Sequence, residues 1–85
     1  MSLSRKHFTY MANEFGCIFR DIDSRFTHGS ETHEAVCDYV REAAFATKRM
    51  FAQDNPRFDP NRFDDWVADV RYGRRDWQGK KKVVA

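Results

Sequence analysis

This chain of 85 residues has little of what several specialised protein classes require. It contains only two cysteines, four glycines and two prolines. So few cysteines, with no charged and then apolar leader at the start, argue against a disulfide-rich secreted scaffold and lead us to expect a reducing compartment such as the cytoplasm. No apolar run approaches the roughly 18 residues that a membrane span needs, so we also expect no membrane insertion.

Recognisable catalytic parts are missing as well. The dispersed glycines form no phosphate-binding loop, and the chain shows no cofactor motif and no EF-hand spacing. Asp64, Asp65 and Asp69 fit the solvated face of a helix better than a cation site. A small helical chain seldom encloses a pocket of active-site size. The sequence therefore predicts a non-enzymatic protein with no catalytic residue and no cofactor.

Four residues have the right chemistry for zinc, namely Cys17, His28, His33 and Cys37. His33 and Cys37 lie four residues apart on a predicted helix, so they could share a metal or form an activated thiolate. Against this, the chain has no CxxC pair, and Cys17 falls opposite the apolar stripe of its own helix. The alternative is a semi-buried Cys37 beside a surface His33. We favour that alternative and predict no metal site.

Aromatic residues and sustained apolar periodicity are plentiful, with eight Phe, three Tyr and two Trp. Three- and four-residue apolar steps predict a first helix over residues 4–23 and a second over residues 30–53. The first stripe contains Phe8, Met11, Ala12, Phe15, Ile18, Phe19 and Ile22. The second is centred on Val36, Val40, Ala43, Thr47 and Met50, and is widened by Cys37, Tyr39, Ala44 and Phe51. Ser4 and Ser30 are the expected N-caps.

The segment 55–63, with the sequence NPRFDPNRF, predicts a helix end, a bend and a new helix. Pro56 disfavours helical geometry in the residue before it, so the second helix must end there. Asp59 followed by Pro60 is a typical N-cap and first helical residue. Phe58 and Phe63 have the spacing of a hydrophobic staple. The third helix then carries an apolar side and ends near Gly73.

These elements predict an all-α protein, a small three-helix bundle over residues 1–73 with a basic, partly ordered tail over residues 74–85. The charge is unevenly placed. Residues 1–70 hold nine Lys and Arg against twelve Asp and Glu, whereas residues 71–85 hold six against one. A mildly acidic body with a basic tail is typical of proteins that use the tail for interaction.

The aromatic surplus favours a protein partner, because three short helices can hide only part of it and aromatic and Arg side chains are enriched in binding hot spots. The expected contacts are Phe19, Phe45, Arg74, Arg75 and Trp77. Homodimerisation would bury the same surface, and a core wider than the stripes would absorb it internally. The alternative function is nucleic-acid binding through phosphate contacts from the tail. Its expected residues are Arg71, Arg74, Arg75, Lys80, Lys81 and Lys82.

Two short motifs carry a resemblance to a known group. Residues 4–8, SRKHF, and residues 55–63, NPRFDPNRF, resemble the "RKHF" opening and the "NPRFD…RF" element of short uncharacterised proteins from bacteriophages, particularly those of actinobacteria. This chain departs from them by about twenty residues after the second motif. The resemblance brings no active site. It implies an accessory protein made in the cytoplasm of an infected bacterium, where it would bind a host or phage macromolecule.

Overall fold

The computed structural model describes residues 4–76 and residue 80, and within them the chain forms three helices that pack together. Helix α1 spans Arg5–Arg25, α2 spans Glu31–Asp54 and α3 spans Pro60–Arg71. The packed body is flattened, with extents of 40 × 35 × 17 Å. The predicted all-α three-helix bundle is confirmed.

The helix starts follow the local chemistry of their caps. Ser30 Oγ accepts a hydrogen bond from the backbone N–H of His33 at 3.2 Å, and Asp59 Oδ1 accepts from the N–H of Asn61 at 2.9 Å. These contacts satisfy donors that a helix start otherwise leaves open. The rings of Phe58 and Phe63 lie 5.8 Å apart, as the hydrophobic staple predicts. The bend between α2 and α3 is therefore set within a few residues of sequence.

Most of the aromatic surplus lies in one cluster where the three helices meet. The Phe51 and Phe58 rings pack edge to face at 5.4 Å, and the Phe15 ring meets Phe63 in the same way at 6.2 Å. Phe8 closes the cluster at 4.7 Å from Phe51. Edge-to-face pairs add to the stabilisation from burial. The core is therefore wider than the predicted stripes.

The predicted stripe of α2 is confirmed in part but centred one position off. Cys37, Ala44 and Phe51, predicted at its edge, are buried, and Val36 and Val40 are half-buried against the core. The buried residues of this helix are His33, Cys37, Ala44 and Phe51. Ala43 and Met50 face outward, and Tyr39 is 77% exposed. One residue turns a helix by about 100°, so two stripes one residue apart look equally periodic in sequence. Packing of the large Phe51 ring against Phe8 and Phe58 selects one of them.

Helix α3 packs mainly on α1 and touches α2 little. Helices α1 and α3 approach closely at Gly16, where a Cβ atom would lie 2.5 Å from Val70 Cβ and 2.9 Å from the carbonyl oxygen of Val67. Only a residue without a side chain fits there. Gly16, which the sequence left as either a kink or a close approach, thus allows α3 to lie against α1, and the side of α3 that faces α2 stays open.

Candidate protein-binding groove

A groove of about 770 Å³ runs between α2 and α3. It is lined from α2 by Arg41, Glu42, Ala44, Phe45, Lys48 and Arg49, and from α1, α3 and the turn after α3 by Phe19, Asp64, Val67, Ala68, Arg71 and Tyr72. It exists because α3 packs on α1 instead of on α2.

The groove has an apolar floor and an aromatic rim. Phe19, Ala44 and Val67 form part of the floor and are all buried. Phe45 on one rim and Tyr72 on the other are each 58% exposed. Two half-exposed aromatic rings that face one groove form a surface on which an apolar partner could be desolvated.

Two of the predicted contacts, Phe19 and Phe45, line the same groove, but one is buried in its floor and the other is exposed on its rim. Phe45 is exposed at the rim, as an interface residue should be. Phe19 is only 5% exposed and is covered by the Arg71 guanidinium, which lies 4.9 Å from its ring centre. Phe19 is therefore a floor residue and not an exposed aromatic side chain, and its contact with a partner stays a prediction.

Charged side chains surround the apolar floor. Lys48 Nζ reaches across the groove to Asp64, at 2.8 Å from Oδ1 and 3.0 Å from Oδ2. The Arg49 guanidinium lies 5.2 Å from the Phe45 ring centre, within cation–π range. Arg41 and Arg71, the other two cations of the lining, pair with Asp38 and Asp23. The rim is therefore polar, and most of its charges are already paired with opposite ones.

A partly buried ion-pair network lies beneath one end of the groove and joins all three helices. Arg71 donates to both oxygens of Asp23, through Nε at 2.8 Å and an NH₂ group at 2.9 Å. His33 Nε2 donates to Asp23 Oδ1 at 2.7 Å. The hydrogen bonds from Arg71 lower the pKa of Asp23 to about 2, against the opposing effect of burial, and His33 adds to the lowering. The hydrogen bonds to Asp23 in turn raise the pKa of Arg71.

This network corrects the expectation for His33 and reduces the support for a second expectation, that of Arg71. Arg71 was predicted to contact phosphates in the nucleic-acid alternative, yet its side chain is only 11% exposed and its charge is neutralised by Asp23. His33 was predicted to lie on the surface, yet it is 1% exposed. In the sequence, a histidine with polar neighbours looks like a surface residue. Its burial depends on Asp23, ten residues earlier, which supplies the hydrogen bond that a buried imidazole needs.

The residues after α3 fold back on its last turns. The backbone N–H groups of Arg74 and Arg75 both donate to the carbonyl oxygen of Asp69. Their side chains pair with the Asp69 carboxylate at 2.6 and 3.3 Å, and hydrogen bonding from Arg74 is the main cause that lowers the Asp69 pKa. The Arg75 guanidinium also stacks 3.6 Å from the Trp66 ring centre.

The remaining predicted contact residues differ in how exposed they are. Arg74 stays 59% exposed, so it can meet a partner, whereas the Arg75 side chain is 15% exposed and is held by Trp66. Arg75 therefore serves mainly to attach the tail to α3. Lys80 is exposed. Trp77, Lys81 and Lys82 lie outside the described residues, so the structure does not place them.

Sequence reasoning missed Tyr72 and Arg49. Tyr72 follows the last turn of α3 and belongs to no apolar stripe, and Arg49 looks like any solvated helix residue. Their one sequence signal is weak: Arg49 follows Phe45 by four residues, the spacing at which side chains meet on a helix. Arg49 and Tyr72 line opposite sides of one groove only because of where α3 packs.

Comparison with known proteins does not assign a family. No family model, no curated protein and no solved structure matches the chain. Among the described residues, no helix has both the length and the apolar character needed to cross a membrane. The function must therefore be inferred from the groove and its surroundings.

Proposed function

We propose that this chain is a non-enzymatic accessory protein that binds a protein partner in the groove between α2 and α3. The observation that carries the proposal is the pair of exposed aromatic rings, Phe45 and Tyr72, on opposite walls above a buried apolar floor. The resemblance to short phage proteins supplies the context, a host or phage protein in the bacterial cytoplasm.

The partner element that suits this groove is an amphipathic helix. Grooves between helices bind such helices through apolar anchors spaced three and four residues apart. The charged rim favours a helix whose edges carry polar and charged residues around its apolar anchors. Lys48 and Asp64, which pair across the groove, would have to separate or move aside to admit it, at the modest cost of an exposed ion pair.

Nucleic-acid binding through the tail remains the alternative, with less support than before. Three of its six expected cations, Arg71, Arg74 and Arg75, are paired with carboxylates. Phosphate binding would compete with those ion pairs, and phosphate contacts supply most of the non-specific affinity for nucleic acids. In the groove, by comparison, one ion pair, Lys48–Asp64, has to give way.

The test compares two surface variants with the tagged wild-type protein in a bacterial lysate. One variant is Phe45→Ala with Tyr72→Ala, in the groove. The matched control is Tyr39→Ala with Met50→Ala, because these residues are exposed apolar side chains of α2 that lie outside the groove. Each capture is run with and without nuclease.

We expect a stoichiometric protein that is captured by the wild type and the control, survives nuclease, and is lost with the groove variant. A partner that the groove variant retains would refute the groove as its site. Captured material that disappears with nuclease, and whose binding falls steeply with salt, would instead favour the nucleic-acid alternative.

A further inference from the structure

A second cluster of chemically active side chains lies where α1 ends and α2 begins, and it is independent of the groove proposal. Asp23 in α1, His28 in the connection and His33 in the first turn of α2 each offer a ligand atom within 4.8 Å of the others. Cys37 lies one helical turn after His33, with its Sγ 3.8 Å from His33 Nε2. We propose that these four residues bind a zinc-type transition-metal ion.

The distances suit a shared tetrahedral ion. Zinc binds oxygen and nitrogen at about 2.0–2.2 Å and sulfur at about 2.3 Å, so two ligand atoms on one ion lie roughly 3.3–3.8 Å apart. Asp23 Oδ1 and Cys37 Sγ lie 2.7 and 3.8 Å from His33 Nε2. Small side-chain shifts bring these three atoms to that spacing. His28 is exposed, and its ring centre is 4.7 Å from that of His33, so it is placed to close the site.

Metal binding would change the protonation of His33 and Cys37. At present His33 Nε2 carries a proton that it donates to Asp23, and Nδ1 accepts from the Gly29 N–H at a long 3.4 Å. When the metal takes Nε2, the ring proton moves to Nδ1, which gives up its long hydrogen bond from the Gly29 N–H, and the N–H of the exposed Gly29 turns to solvent. Glu34 Oε1 lies 3.7 Å from Nδ1 as an acceptor for the moved proton. The Cys37 thiol releases one proton to solvent, since the thiolate is the ligand form.

The neighbouring charges are compatible with a dication. One carboxylate and one thiolate balance the charge of the metal. When the metal takes Asp23 Oδ1, the Arg71 NH₂ group gives up its hydrogen bond to that oxygen, while Arg71 Nε keeps its hydrogen bond to Oδ2. The carboxylate thus retains the outer partner that metal ligands usually have. The Arg71 NH₂ group lies 3.9 Å from Cys37 Sγ, where a positive charge stabilises a thiolate.

The site would join the end of α1 to the start of α2 and so contribute to folding. His33 and Cys37 are 1% and 0% exposed, so the ion would be shielded on one side and closed from the solvent side by His28. The three ligand atoms within 4.8 Å of one another belong to Asp23, His28 and His33, and Cys37 joins them as the fourth ligand through its 3.8 Å contact with His33, a contact that Cys17 does not make. The set that the structure brings together therefore replaces Cys17 with Asp23.

The experiment uses the full chain, reduced and freed of metal by a chelator. Zn²⁺ is titrated in competition with a chromophoric chelator, and Co²⁺ is titrated separately for its absorption spectrum. His28→Ala is the decisive variant, because His28 is exposed and its loss should leave the fold intact, as circular dichroism would verify. Cys37→Ser tests the thiolate, and Cys17→Ser is the matched control.

We expect one Zn²⁺ per chain, and a Co²⁺ complex with the intense visible bands of tetrahedral coordination and a sulfur-to-cobalt charge-transfer band. His28→Ala should weaken Zn²⁺ binding more than about tenfold, since even outer partners of metal ligands are worth about 10–100-fold. Cys37→Ser should remove the charge-transfer band, and Cys17→Ser should change neither measurement. Failure of the wild type to compete for Zn²⁺, a weak octahedral Co²⁺ spectrum, or equal affinity in His28→Ala and Cys17→Ser would overturn the proposal.

Discussion

The two sides of α3 differ sharply in how they meet their neighbours. On the α1 side, Gly16 carries no side chain at its point of contact, and Val70 and the Val67 carbonyl fill the space. On the α2 side, Phe45 remains exposed and the Lys48–Asp64 ion pair spans the gap. The same short helix thus has one closed interface and one open one.

This difference indicates how an 85-residue chain can keep an apolar groove without losing its fold. The closed interface and the Phe cluster hold α3 in place, so the open side need not contribute to stability. A surface that does not contribute to stability can be used for binding with little loss of stability. The comparison fails if substitutions on the two sides have equal effects.

The largest effect is expected from Phe63→Ala. Phe63 is 4% exposed and its ring meets Phe15, Phe51 and Phe58, so it links all three helices. Removing a buried Phe ring should lower the free energy of unfolding by roughly 3–5 kcal/mol. Urea denaturation monitored by circular dichroism measures it. A loss below about 1 kcal/mol would contradict the packing of α3 described above.

Gly16→Ala should also destabilise, by about 1–3 kcal/mol, because the new Cβ overlaps Val70 and the Val67 carbonyl. This is opposite in sign to the gain of up to about 1 kcal/mol that Gly→Ala brings inside an ordinary helix. The control is Ala43→Gly on the exposed face of α2, which should show the propensity effect alone. A more stable Gly16→Ala protein would show that the closed interface has room to yield.

A smaller, pH-dependent effect is expected from Asp69→Asn, which tests the attachment of the tail to α3. Because Arg74 and Arg75 lower the pKa of Asp69 in the fold, its ionised form stabilises the protein above the unfolded-state pKa of about 3.9. That contribution is lost as pH falls through the lower folded-state pKa. The stability difference between wild type and Asp69→Asn should therefore be greatest near pH 7 and shrink below about pH 4.

Unfolding in urea at several pH values measures this difference. The exposed Asp65→Asn change on the same helix serves as the control for loss of one negative charge. A difference between wild type and Asp69→Asn that is constant with pH, or that grows as pH falls, would contradict the ion pairs as its source.

The smallest effect on stability is expected from Phe45→Ala on the open side. Phe45 is 58% exposed, so its removal should change the free energy of unfolding by no more than about 0.5 kcal/mol while it disrupts partner capture. The same denaturation measurement, set beside Phe63→Ala, compares two residues of one type in two environments. A loss of several kcal/mol would mean that Phe45 packs in the core and that the groove is closed in solution.

Helix positions and ends could be read from the sequence because their causes are local. Ser30 and Asp59 act within three residues, the Phe58–Phe63 staple spans five, and Pro56 affects its own neighbour. The start of the predicted basic, partly ordered tail was harder to predict from the sequence. Arg74 and Arg75 form ion pairs with Asp69, and the number of charges in the sequence does not show which of them will pair.

By itself, then, the sequence determined three helices, their caps, the bend at residues 55–59 and an aromatic core, because each rests on neighbours along the chain. Only the tertiary structure decided which face of α2 is buried, that Phe19 is enclosed, and that Asp23, His33 and Arg71 meet. These outcomes depend on contacts between residues up to 48 positions apart. A one-residue rotation of a helix leaves the sequence pattern nearly unchanged, and only side-chain packing between helices distinguishes the alternatives.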